Sequence, residues 1–248
     1  MRYQDINART IDEWVAEGWE WGTPIDHETY ERAKRGDWQI LLTPTIPVPR
    51  GWFPDLAGAD VLGLASGGGQ QMPILTAARA RCTVLDYSPA QLESERLVAE
   101  REGYEIEIVR ADMTQRLPFA DARFDMVVNP VSLCYVRETD PIWREIARVL
   151  RPGGVLLTGL DTGFNYVVDQ EEEHIVRGLP FDPIADPELM AEPELEDAGV
   201  QFSHTVGELL GGILHAGFTI DDVYDDVNGE GRLSELNIPT MLAVRAHK

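Results

Sequence analysis

The chain has 248 residues, 44% of them hydrophobic and 26% charged, so it is long enough to bury a substantial core without disulfides. Its 43 acidic and 21 basic side chains give a net charge of −22, which opposes both non-specific, phosphate-driven nucleic-acid binding and docking on an anionic membrane. Two distant cysteines (Cys82 and Cys134), no apolar run of membrane-spanning length and no signal-peptide pattern in MRYQDINARTIDEW predict a cytoplasmic protein without a disulfide framework.

The first fifty residues carry four of the six tryptophans, Trp14, Trp19, Trp21 and Trp38. Thr10 and Glu13 have capping-box spacing, and Ile11, Trp14 and Val15 continue at helical spacing. A second short helix is expected from an Asp26 cap to Gly36. Thr43 to Arg50 is punctuated by prolines and reads as an extended connector. Residues 1–50 are therefore expected to form a helical, aromatic cap on a domain spanning 51–248.

From Ala59 the pattern changes. Ala59–Ala65 is an apolar strand ending in Ser66-Gly-Gly-Gly69, and residues 70–80 follow as a helix. Arg81–Asp86 is a second strand; Ser88-Pro89 then opens a helix, with Gln91 completing a capping box. Glu105–Arg110 and Phe124–Asn129 are the third and fourth strands. Asp140-Pro141 starts a helix with Ile142, Ile146, Val149 and Leu150 on one face, and Val155–Gly159 is the fifth strand. Residues 161–202, acidic and proline-rich, break the rhythm and read as an inserted lid. A capping box at Thr205–Glu208 opens a last helix, and 218–227 and 240–246 close the sheet. Strands alternating with helices predict an α/β, Rossmann-like doubly wound sheet, mostly parallel, with seven strands and an antiparallel last one.

The chemistry concentrates after the first strand. A glycine turn lets backbone approach a ligand, and the helix behind it offers free N–H groups. Asp86 ends the next strand, where an acid meets ribose hydroxyls and could accept from both. On this topology Gly67–Gly69, Asp86, Asp112 and Asn129 share the carboxyl ends of the strands. A nicotinamide fingerprint fails because Met72 stands where the third glycine is required.

Five ordered segments resemble the class I S-adenosylmethionine-dependent methyltransferases: Val61–Gly69, Val84–Pro89, Ala111–Met113, Phe124–Asn129 and Leu150–Leu157. The resemblance implies that Ala65, Ser66, Gly67 and Gly69 cradle the methionine part of S-adenosyl-L-methionine. It implies Asp86, with Tyr87 beside it, at the ribose, Asp112 and Met113 at the adenine, and Asn129 near the methionine amino end. Two positions depart from the pattern. Gly63 stands where the family has an acid, and Ala65 where it has its first glycine. Gln70 and Gln71 are candidates to replace the lost polar contact.

Methyl transfer to a small-molecule acceptor is the function so implied, with O- and N-acceptors both open. The alternatives are a non-catalytic S-adenosylmethionine-binding sensor or partner module, and an aminopropyl-type transferase on the same fold. Trp21, Tyr30 and Trp38 are expected to bind substrate, with His27 as a general base. The same aromatics could instead serve only to pack the cap onto the sheet. No metal is expected. H-E-x-x-H fails at Glu31, and Glu171–His174 reads as a solvated acidic face. Asn129-Pro130 reads as an ordinary strand end and Cys134 as a small buried thiol.

Overall fold

Strands β1 (Asp60–Leu64), β2 (Arg81–Asp86), β3 (Glu107–Arg110), β4 (Phe124–Asn129), β5 (Leu150–Asp161), β6 (Thr219–Asp226) and β7 (Met241–His247) form one sheet, ordered β3-β2-β1-β4-β5-β7-β6. The coordinates are a computed structural model and describe residues 2–186, 188, 189 and 198–248. The first five strands pair in parallel, whereas β7 runs antiparallel to both β5 and β6. Alternation sends successive side chains to opposite faces. Val61, Val84, Met126, Val128 and Leu157 meet helices α2 (His27–Lys34) and α3 (Gln71–Ala77) on one face. Leu62, Leu85, Val127 and Leu156 meet α5 (Asp140–Val149) and α6 (Gly212–His215) on the other. Both faces are buried, so the central strands read as continuous apolar runs.

Local signals hold in most elements. The Asp26 carboxylate accepts from the Thr29 N–H at 2.7 Å and caps α2. Ser88 Oγ accepts from the Gln91 N–H at 3.1 Å and caps α4 (Pro89–Glu102). The Thr205–Glu208 box closes in both directions, and the segment behind it starts with a π-turn at Gly207–Gly211 before α6. Two expectations need correcting. Helix α1 spans Tyr3–Ala16, so Thr10 and Glu13 lie inside it and are no N-terminus. Strand β5 begins at Leu150 and runs to Asp161, two residues past the expected Gly159. The turn-like Arg151-Pro-Gly-Gly154 is absorbed into it beside an irregularity in the β4–β5 pairing.

The N-terminal segment lies across the carboxyl ends of the strands. Helix α1 is tied down on both sides. The Ser88 hydroxyl and the Ala90 N–H donate to Asp12 Oδ1, at 2.5 and 3.0 Å, at the start of α4. Opposite, Val200 N–H donates to Asn7 Oδ1 at 2.6 Å and Asn7 Nδ2 donates to the Val200 carbonyl at 2.9 Å. The inserted region thus meets α1 over the sheet. Residues 187 and 190–197 of its acidic stretch lie outside the described residues.

Candidate active site

A cavity of about 340 Å³ opens beyond β1, β2, β4 and β5, under α1. This is the switch point of the sheet, because the chain leaves β1 toward β2 on one side and β4 on the other. The wall brings together Trp21, Ala65, Ser66, Gly67, Gln70, Gln71, Asp86, Tyr87, Asp112 and Met113 from the sequence candidates.

Asp86 is held by backbone. Its Oδ1 accepts from the Tyr87 and Ser88 N–H groups at 2.7 and 3.0 Å, and its Oδ2 from the Gly67 N–H at 3.1 Å. Burial pushes its carboxyl above the usual range, against the pull of these three bonds. A carboxylate has about four acceptor sites, so roughly one remains for a hydroxyl. Acceptance from two hydroxyls, as expected from the strand-end position, would have them share that remaining capacity. Asp112 Oδ1 accepts from the Thr114 N–H and hydroxyl at 2.9 and 2.6 Å. Its Oδ2 meets only the long 3.4 Å approach of Arg2 Nη1 at the rim. Arg2 Nη2 also donates to the Tyr87 hydroxyl at 2.6 Å, and that hydroxyl donates to Asp5 at 2.8 Å, so the start of α1 latches onto the strand ends.

The glycine turn faces inward. A Cβ at Gly68 would lie 2.6 Å from Gln91 Oε1 and from the Trp21 carbonyl, and its φ is +93°. Close approach to α4 and to the N-terminal segment is thus what demands glycine here. Gly69 does not line the cavity; its N–H donates to Glu95 Oε1 at 2.9 Å. Glu95 is fully buried, and burial, with a smaller push from Asp86, raises its carboxyl to about 8. The two departures from the family pattern have local causes. A Cβ at Gly63 would meet the Met72 side chain at 2.8 Å, so the methionine at the third-glycine position fills the space an acid would need. Ala65 adopts φ +47°, the left-handed region its glycine counterpart would enter freely.

Gln70 and Gln71 line the cavity but are partly committed to the cap. Gln70 Nε2 donates to the Glu20 and Thr23 carbonyls at 2.6 and 3.0 Å, and Gln71 Nε2 to the Leu41 carbonyl at 3.3 Å. Asn129, expected near the methionine amino end, does not line the cavity and acts as a strut. It is fully buried, donates to the Leu64 carbonyl and Ser132 hydroxyl at 2.8 Å each, and accepts from Thr158 at 3.1 Å.

His27, Tyr30 and Trp38 are also placed elsewhere. Helix α2 turns Tyr30 and Ala33 into the core with α3, and neither lines the cavity. Tyr30 stacks on Tyr104 with centroids 5.5 Å apart. His27, with its side chain 70% exposed, pairs its Nδ1 with Glu102 at 2.8 Å. Trp38 stacks under Arg50 and lines an adjoining cavity of about 480 Å³ with Arg32 and Asp37. That cavity shares Trp21, Leu41, Pro44, Gln70 and Gln71 with the first.

The far end of the first cavity holds residues the motifs did not reveal: Asn7, Tyr135, Asp161, Asn165, Tyr166 and Gln201. Asp161 obeys the same strand-end rule as Asp86 and was hidden only because β5 was expected to stop at Gly159. The others come from α1, a turn after β4 and the inserted region, where no periodicity points to them. Cys134 also lines this end and is buried, and burial pushes its thiol strongly upward.

Comparison with known proteins supplies the family. Residues 62–158 match a methyltransferase domain family. The chain is 36% identical over 230 residues to YbaJ of Bacillus subtilis, described as an uncharacterized methyltransferase, covering 90% of both. It is 35% identical over 125 residues, half of each chain, to a demethylmenaquinone methyltransferase of Mycobacterium tuberculosis. A crystal structure of an S-adenosylmethionine-dependent methyltransferase from Mesorhizobium loti shares the fold, with a TM-score of 0.62 and 22% identity over 80% of this chain and 95% of that one. With nine-tenths of its length matched to a methyltransferase and its sheet in this order, the chain belongs to the class I S-adenosylmethionine-dependent methyltransferases and takes S-adenosylmethionine as its cofactor.

Proposed function

We propose that the protein transfers a methyl group to a small-molecule acceptor inside the cavity roofed by α1. One observation carries this reading: a single cavity runs from Asp86 and Asp112 to the end of β5, under a helix hydrogen-bonded on both flanks. Such a roofed, partly apolar cleft orients a small ligand better than a polymer.

The residues present fit the cofactor. Asp86 keeps about one acceptor site for a ribose hydroxyl, and Asp112 Oδ2 can accept from an adenine amino group. Gln91 Oε1, buried on the cavity wall, has no hydrogen-bond partner and so is an acceptor awaiting a donor. When bound, the cofactor supplies a methyl carbon made electrophilic by its sulfonium. The chain's own task is alignment: strand-end backbone and Asp86 fix one end, and α1 with the inserted region holds the acceptor against the other. His27 has no part in this reading, because it does not reach the cavity.

Calorimetry with S-adenosylmethionine, followed by detection of S-adenosylhomocysteine on incubation with a small-molecule extract, tests the proposal. Binding and S-adenosylhomocysteine are expected. Methylthioadenosine as product would replace methyl transfer by aminopropyl transfer. Binding without any turnover would leave a sensor.

A further inference from the structure

Three carboxylates, those of Asp86, Asp112 and Asp161, face the cavity. Among the described residues lining it there is no Lys, Arg or His. Asp86 and Asp112 lie where the nucleoside is proposed to sit. Asp161, at the end of β5, belongs to the opposite lobe and has no such duty.

Its surroundings are those of a poised acceptor of protons. Oδ1 accepts from the Gly163 N–H at 2.6 Å and Oδ2 from Asn165 Nδ2 at 3.0 Å. Asn165 is itself held by Asn228 Nδ2 at 2.8 Å, so the carboxylate is fixed in orientation. Two of its roughly four acceptor sites remain. The residue is only partly covered, and its open side is on the cavity. Burial raises its carboxyl above the usual range, and the nearby His204 pulls the other way. The remaining titratable neighbours are Cys134, Tyr135 and Tyr166, all pushed upward by burial and by Asp161 itself, so none competes as a base near neutrality. A turn-capping role alone explains the two bonds but not a carboxylate that also lines the cavity with acceptor capacity to spare.

The lobe's walls define the ligand. Tyr135, Tyr166, Val131 and Met241 offer apolar and aromatic surface, and Tyr166 stacks on Phe181 with centroids 4.9 Å apart. Gln201, which accepts from the Tyr166 hydroxyl at 2.8 Å, adds a polar edge. An anionic acceptor would face three carboxylates with no cation on the cavity wall to offset them.

Resting on the methyl-transfer reading above, we propose that Asp161 is the catalytic base for an uncharged acceptor with an aromatic or apolar body and one acidic hydroxyl, a phenol or an enol. The hydroxyl donates to Asp161. As the acceptor oxygen bonds the methyl carbon, the carbon–sulfur bond breaks with its electron pair going to sulfur. The hydroxyl proton passes to the Asp161 carboxylate, which returns it to solvent after product leaves.

The test has two arms. In the first, 4-nitrophenol is bound to protein loaded with S-adenosylhomocysteine and its absorbance is followed against pH. A carboxylate accepting from the hydroxyl holds the bound phenol protonated to higher pH than the free one, and D161N shrinks that shift to the part burial alone supplies. In the second, a panel of matched phenols, enols and anilines is screened for S-adenosylhomocysteine formation. O-methylated products are expected, with kcat falling about a hundredfold or more in D161N. The acid limb of the pH profile should vanish with it, the Kd for S-adenosylmethionine should stay within about threefold, and D161E should recover part of the rate. N-methylated products overturn the assignment. So does D161N with unchanged rate and profile, a nitrophenol unshifted in wild type, or cofactor binding without turnover of any phenol or enol. Failure of S-adenosylmethionine to bind wild type at all would instead overturn the methyl-transfer reading itself.

Discussion

The two ends of the cavity are built in different ways. The end at Asp86 hangs from residues 65–67, 86–88 and 111–114, each directly following a strand of the parallel sheet or its turn. The end at Asp161 is gathered from α1, the turn after β4, the end of β5 and the inserted region. The first inherits its geometry from the sheet, with Asp86 fixed by three backbone N–H groups. The second depends on side-chain ties between segments far apart in sequence, such as Asn7 with Val200. An enzyme so divided can hold its cofactor on a rigid frame while the acceptor end is assembled from parts that separate more easily.

The largest effect expected at the rigid end concerns Glu95 behind the glycine turn. Its carboxyl titrates near 4.5 when unperturbed and at about 8 in the folded protein. Both states are protonated at low pH, so the stability associated with the proton is complete below about 4.5. It is lost as pH rises toward and through about 8, by several kcal/mol in all. Glu95→Gln keeps an oxygen for the Gly69 N–H and places its amide where Glu95 Oε2 has no partner. Urea unfolding from about pH 5 to about pH 9 should show wild type weakening and the variant holding steady. Parallel curves would place the charge in water.

Next is Asp86. Asp86→Ala should weaken S-adenosylmethionine about tenfold to hundredfold by calorimetry, and Asp86→Asn should weaken it less because one acceptor oxygen survives. A folded alanine variant with wild-type affinity would remove the cofactor from this strand end.

At the assembled end, Asn7→Ala strips the Val200 N–H and carbonyl of their partners in a buried place, costing about 1–3 kcal/mol. Hydrogen exchange should quicken in residues 3–16 and 198–203 and stay unchanged in the sheet. Equal quickening in β1 and β4 would show that the two ends open as one unit.

The smallest effect is at Ala65. Glycine there relieves the left-handed strain of about 1–2 kcal/mol but adds freedom to the unfolded chain, for a net gain of about 0.5 kcal/mol. A loss on thermal unfolding would mean that the methyl group packs more than the backbone strains.

The same division explains what the sequence disclosed. Strands ending in Ser66-Gly-Gly-Gly69 and Asp86 announce themselves because ligand contacts and strand termini are neighbours in the chain. The doubly wound sheet was legible for the same reason, with each strand an apolar run bounded by turn residues. Asp161 escaped because Gly159 looked like a terminus, whereas β7 pairs with β5 through Asp161 opposite Met241. Asn7, Tyr135 and Gln201 meet only through tertiary packing, which no local period encodes. His27, Tyr30 and Trp38 stand off the first cavity for the converse reason: an aromatic-rich segment looks alike whether it faces a ligand or a core. Tyr30 went to the core with α2 and Trp38 to the wall of the adjoining cavity, and Trp21 alone of the aromatic substrate candidates reached the first one.

A crystal structure with S-adenosylhomocysteine would show which way the cofactor lies between Asp86 and Asp161. A ribose hydroxyl is expected within hydrogen-bond distance of Asp86 Oδ2, the adenine amino group at Asp112 and the sulfur turned toward the lobe that holds Asp161. A nucleoside seated in the adjoining cavity beside Trp38 and Arg32, or a sulfur turned away from Asp161, would contradict that placement.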